Sequence, residues 1–271
     1  MTTAVKPASL TLRFLAMLGG TLVGLLLICP PDVSAETGPM ILSLGDDSYI
    51  TWSGVESRTG AGVKRELGES PLTDFSVLVL SNISYASLPE AVRDGFQDYL
   101  SHGGSVLITG GQGSYGSGGY AGTELADLLP LRPSRDDFGY HPYGPTLLLQ
   151  LGHPILKGVE IPTMGFFNEL ELNGGAVEIA QYRKAFARTV IVDPRNPNSK
   201  VIEGGGARLP MPLIAERSVG PGTILAIAID MGNPLDKGIW KDRDRFSQNC
   251  VEYLLGRSRI EPPKKRSDPS E

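Results

Sequence analysis

The sequence predicts an α/β domain: a mostly parallel sheet, helices on both faces, and an antiparallel hairpin late in the chain. Three observations carry this reading. Phe75–Leu80 (FSVLVL) is apolar without alternation, as a strand covered on both faces requires. Between Phe75 and Thr109 the chain reads strand, helix, strand, a βαβ unit that makes a parallel pair with a right-handed crossover. Pro212–Ala215 and Thr223–Asp230 (TILAIAID) flank the tight turn Ser218-Val219-Gly220-Pro221-Gly222, which predicts a hairpin.

The remaining elements follow in order. Met40–Leu44 is a short buried strand ending at Gly45-Asp46-Asp47. Ser48–Ser70 is glycine-rich and of mixed polarity, with no period. A helix starts at Ser87-Leu88-Pro89-Glu90, with Ser87 as the expected N-cap and Glu90 three residues on. Ala91, Phe96, Tyr99 and Leu100 form its apolar face, and Gly103-Gly104 ends it. Ser105–Thr109 is the next strand, Gly110–Gly119 a glycine-dense loop, and a short helix begins near Thr123. Leu131–Arg135 is poor strand sequence, whereas Ala185–Val192 reads as a strand. Asn196–Arg208 is a polar, glycine-rich insertion, and the last helix runs from about Asp244 to Leu255.

The two ends read differently from this middle. Lys6 and Arg13 precede the apolar run Phe14–Ile28, which Pro30-Pro31 breaks, and Val33-Ser34-Ala35 offers a small-x-small cleavage site. Residues 1–35 are therefore expected to be a signal peptide, which makes the mature protein periplasmic or secreted. The alternative is an uncleaved helix that anchors the chain to a membrane, although the run is short of the ~20 residues a span needs. Residues 36–257 form the domain, and 258–271, containing Pro262-Pro263-Lys264-Lys265-Arg266, read as a disordered polar tail. The formal net charge of −5 argues against a nucleic-acid partner, which would call for a basic face. Beyond the signal segment only Cys250 remains, so no internal disulfide is available. Its place in the stripe Phe246, Cys250, Leu254 makes it a small buried hydrophobe.

The loop after a strand's carboxyl end is where ligands and nucleophiles sit in an open parallel sheet. Here that loop holds Gly110, Gly111, Gln112, Gly113, Ser114 and Tyr115, with no Cys, His or Lys. Gly111–Gly116 spells GxGxxG and Asp136 lies downstream, but Ser117-Gly118-Gly119 keeps the chain in a loop where a dinucleotide site needs a helix. No Gly-Lys-Ser/Thr makes a phosphate loop either. Two readings of the glycines stand: a tight surface turn, or backbone amides aimed at an anionic or oxygen-rich ligand. Ser114 is the one hydroxyl nucleophile near the strand end, and a base for it would be His141 or His153. His153 precedes Pro154, so its ring is also placed to cap local backbone. Asp46, at the end of the first strand, is a candidate for a hydroxyl-rich ligand, or it caps a turn. The spacing of the histidines makes no metal site, and no cofactor is expected.

With these residues in place, the chain resembles the class I glutamine amidotransferase-like superfamily. The resemblance rests on FSVLVLSNISYASLP, YLSHGGSVLITGG, GQGSYGSGGYAGTELADLLPL with HPILKG after it, and PLIAERSVGPGTILAIAID before FSQNCVEYLLG. Gly118-Gly119-Tyr120-Ala121-Gly122-Thr123 is its most specific string. The resemblance implies a flavodoxin-like three-layer sandwich. In active members it also implies a Cys on the turn after the central strand, completed by a His and a Glu that hydrolyse glutamine. Here the turn is Thr109-Gly110-Gly111-Gln112-Gly113, without Cys, and the late strand ends Ile227-Ala228-Ile229-Asp230, without His-x-Glu. The expected function is therefore an exported module binding a small molecule or a protein, without glutaminase activity. The alternatives are a hydrolase of a sugar or peptide derivative using Ser114 or Asp46 with a histidine, and an accessory subunit anchored in a membrane.

Overall fold

The computed structural model describes residues 38–133, 137–141, 145–184, 187–191, 200–204, 209–235 and 238–261. The signal segment, Asp136 and residues 262–271 of the predicted tail lie outside the described residues.

The chain opens with β1 (Met40–Gly45), α1 (Trp52–Thr59) and β2 (Gly62–Lys64), then β3 (Val77–Ser81), α2 (Glu90–Ser101) and β4 (Ser105–Thr109). The middle holds α3 (Glu124–Leu128), β5 (Leu131–Arg132), β6 (Phe138–Tyr140), β7 (Thr146–Leu148), β8 (Phe166–Asn168) and β9 (Glu171–Leu172). It closes with β10 (Val177–Lys184), β11 (Ala187–Ile191), β12 (Lys200–Gly204), β13 (Leu209–Val219), β14 (Gly222–Ile227) and α4 (Arg243–Arg257).

Eight strands form the main sheet in the order β2-β1-β3-β4-β14-β13-β10-β7. The first five are parallel, and their order is the 2-1-3-4-5 of a flavodoxin-like sheet. The other three pairings are antiparallel, and β13–β14 is the hairpin the sequence predicts. Three short two-stranded ribbons, β11–β12, β5–β9 and β6–β8, lie outside this sheet.

The crossovers from β1 and from β3 leave in opposite directions, so right-handed connections put α1 and α2 on opposite faces. α4 shares α1's face, joined through an Arg58–Glu252 ion pair and Arg58 Nη2 to Gln248 Oε1 at 2.6 Å. The core sits between the layers: every residue of β3, β4 and β14 is buried.

Several details differ from the sequence reading. Ser48–Ser70 contains α1 and β2; only Val55 of α1 is buried, which leaves no apolar period to find. Ser87 does not cap α2. It closes a one-turn 3-10 helix over Tyr85–Ser87, where Ser84 Oγ accepts its amide at 3.3 Å, and the α2 cap is Pro89. On α2 it is Val92, not Ala91, that faces the core. Leu131-Arg132 does form a two-residue strand, and the polar insertion after Asn196 contains β12.

Candidate functional site

The carboxyl ends of β1, β3, β4 and β14 meet at one edge. β1 and β3 are the switch point of the sheet, where such folds leave a crevice. A crevice of about 580 Å³ opens there, lined by Leu44, Gly45, Arg65, Leu67, Ile83 and Ser87 among others.

Behind the crevice the strand ends are tied by polar side chains. Asp47 is buried, and accepts Ser43 Oγ at 2.6 Å, Trp52 Nε1 at 2.8 Å and Arg65 Nη1 at 3.2 Å. The buried Tyr49 hydroxyl lies 2.9 Å from Ser81 Oγ and 3.1 Å from Thr109 Oγ1, joining β3 to β4. Burial holds that phenol far above the usual tyrosine range. Asp46 is exposed: its Oδ1 accepts the Ser48 amide at 3.2 Å, the turn-capping role. Gly232 lies between the Asp46 and Asp230 carboxylates, where a Cβ would sit 3.0 Å from Asp46 Oδ2 and 3.7 Å from Asp230 Oδ1.

The glycine-dense loop packs beside this edge, and most of its amides are used inside the protein. Gly110 N donates to Ile229 O (3.1 Å) and Ser114 N to Gly111 O (3.0 Å). Gly118 N and Tyr120 N donate to Ser114 O (2.8 Å) and Tyr115 O (2.9 Å). Gly111 N donates to Asn168 Oδ1 (2.9 Å) and Gly113 N to Asn82 Oδ1 (2.7 Å). Gly116 N and Ser117 N both point at the Asp137 carboxylate, the first at 3.0 Å. A run of amides of this kind is an anion nest, and the anion in it is the protein's own Asp137.

Asn168 Nδ2 completes the lock, donating to Asp137 Oδ1 at 2.7 Å. Burial pushes the Asp137 pKa up, opposed by these donors. The glycines are steric necessities here. A Cβ on Gly110 would collide with Ala228 O, and Gly111, at φ +139, has Asn82 against it. Tyr115 adopts φ +51, uncommon for a bulky residue. Its buried ring is fixed by a bond from its hydroxyl to Ile227 O at 3.2 Å.

Ser114 is buried, and its hydroxyl donates to Thr109 O at 2.6 Å. Neither histidine is brought to it. His141 stacks on Phe167 with centroids 4.2 Å apart, and its Nε2 lies 3.4 Å from Glu169 Oε1. His153 caps a 3-10 turn: its Nδ1 accepts the Ile155 amide at 3.4 Å, and its Nε2 lies 3.5 Å from Glu216 Oε2. The His153 ring beside it holds the Glu216 carboxyl below its ordinary pKa, despite half-burial. Tyr253 also donates to Glu216, at 2.6 Å, and burial pushes its phenol up to about 12. Cys250 is fully buried in α4, and burial raises its thiol pKa well above the usual value. Of the sequence candidates, Gln112 and Asp46 are exposed at the edge, and Gly110, Gly111, Ser114 and Tyr115 are buried under it. Among the described residues no group of three or more His, Cys, Asp or Glu is arranged to hold a metal ion.

Asn168 and Asp137 were not found from the sequence. Asn168 ends β8 and Asp137 immediately precedes β6, and these three-residue strands carry no period.

No protein-family profile matches this chain, and no curated protein matches it. Solved structures do. A cytoplasmic protein from Salmonella typhimurium LT2 superposes with a TM-score of 0.56 at 17% identity, over 79% of this chain and 99% of that one. A second cytoplasmic protein from Salmonella typhimurium gives 0.54 at 17% identity, over 75% and 85%. A ThuA-like protein from Bacteroides uniformis gives 0.49 at 10% identity, over 82% and 93%, too low a score to argue from. The first two show a shared fold and nothing of activity.

Proposed function

We propose that this chain is an exported ligand-binding or interaction module on the class I glutamine amidotransferase-like fold, without glutaminase activity. One observation supports this most: the groups a hydrolase would need are committed elsewhere. The thiol is sealed in the core, the Ser114 hydroxyl is spent on Thr109 O, and the histidines sit against Glu169 and Glu216.

The ligand face in this reading is the carboxyl edge. The crevice between β1 and β3 supplies apolar wall from Leu44, Leu67 and Ile83, with Arg65 at its side. Asp46 and Gln112 stand exposed along the same edge. The glycine-dense loop is then a rigid wall of the site, with its amide nest already filled. Export rests on the N-terminal segment alone; cell fractionation with signal peptidase inhibited separates a cleaved peptide from a retained anchor.

The chemistry is tested with purified protein and glutamine. Ammonia release is expected at the level of a protein-free blank, and unchanged in Ser114→Ala. Release above the blank that Ser114→Ala abolishes would establish the hydrolase instead.

A further inference from the structure

We propose that the opposite, amino edge of the sheet carries a second site, which binds an oxyanion of the phosphate type. A cavity of about 270 Å³ lies where the β13–β14 turn meets the end of α4, lined by Ser218, Pro221, Thr223, Arg257, Ser258 and Arg259 with two glycines. No carboxylate of a described residue lines it.

Thr223 lines the cavity and is buried. Its side chain belongs to a residue only 3% exposed, yet its hydroxyl has no hydrogen bond to any described residue and is not among the fully occluded polar atoms. The hydroxyl is therefore a donor open to a ligand, on a residue that lines this cavity. Arg257 and Arg259 stand at the rim. Neither guanidinium makes a hydrogen bond or close ion pair with a described residue; Arg257 acts only at longer range on Glu216 and Tyr253.

Arg257 alone has a simpler explanation, since a cation in the last turn complements the helix dipole. Arg259 does not, because it lies past the helix. Its backbone is pinned there: its amide donates to Gly103 O at 2.9 Å, and Ile260 packs on the core. Two forked guanidinium groups and a hydroxyl donor lining one cavity suit a tetrahedral oxyanion, which takes bidentate Arg contacts well.

The ligand is free phosphate or a phosphomonoester headgroup on a membrane, and the test separates them. The full chain is titrated calorimetrically with inorganic phosphate in chloride buffer, and in parallel assayed for cosedimentation with vesicles of phosphatidylcholine and phosphatidic acid. The variants are Arg259→Gln and Thr223→Val, which keeps the side-chain volume, with Lys241→Gln as a charge control. Melting curves confirm folding. Binding in either arm that falls roughly tenfold or more in Arg259→Gln and in Thr223→Val, but not in Lys241→Gln, is expected. Loss in the phosphate arm assigns a soluble ligand, and loss in the vesicle arm alone assigns a headgroup. Absence of binding in both arms overturns the proposal, as does binding that all three variants weaken alike. Glutamine turnover plays no part, so failure here leaves the carboxyl-edge reading intact.

Discussion

The two halves of the main sheet differ in kind. In the parallel half, β1, β3, β4 and β14 are covered on both faces and buried nearly throughout. In the antiparallel half, β7 is a three-residue margin with Leu147 37% exposed, and β10 begins with Val177 47% exposed. The parallel half is the frame that delivers strand ends to the functional edge. Outside the sheet, the β6–β8 ribbon lends Asn168, and Asp137 just before it, to the loop after β4. Stability and site geometry therefore come from different places in the chain.

Substitutions test that division, from the largest effect down. Leu107→Ala, in the middle of β4, should cost about 3 kcal/mol by urea unfolding, because a sealed cavity opens between two layers. A cost below about 1 kcal/mol would mean the parallel half is not the rigid frame. Asn168→Ala should cost about 2 kcal/mol, leaving the Gly111 amide and the Asp137 carboxylate short of partners. Its mark is local: faster amide exchange at Gly111 and Gly116 while β4 stays protected.

Glu216 on β13 gives a pH test within the antiparallel half. Its folded pKa is lowered, mainly by His153, so its stabilisation is complete above its ordinary value near 4.5 and lost as pH falls through the folded value. Wild type should lose more stability than Glu216→Gln on acidification from about pH 6 to about pH 3. Equal losses would leave the His153–Glu216 contact without energetic weight. Leu147→Ala, at the margin, should change stability by under about 0.5 kcal/mol, and a loss matching that of Leu107→Ala would erase the distinction between the halves.

The same division explains what could be read from the sequence. FSVLVL, SVLIT and TILAIAID announce themselves because double coverage demands unbroken apolar runs. The β13–β14 hairpin declares itself through Gly220-Pro221-Gly222. β10 escaped because register shifts around Glu178, Ala180 and Gln181 break the alternation that would mark it. α1 escaped because one buried valine makes no stripe. In the site, the absence of a thiol on the loop is plain in the letters, and the burial of Cys250 followed from its stripe. What fills the loop was not legible. Asp137 and Asn168 meet it only through tertiary folding, more than 20 residues downstream of Gly116 in the case of Asp137.

The measurement that bears most directly on the account is amide hydrogen exchange across Gly110–Tyr120 in the unliganded protein. Gly111, Gly113, Gly116 and Gly118 should exchange slowly, close to the residues of β4, because their donors are engaged by Asn168, Asn82, Asp137 and Ser114. Rapid exchange at those four glycines beside a protected β4 would contradict it, and would return the loop to an open cradle waiting for an anion.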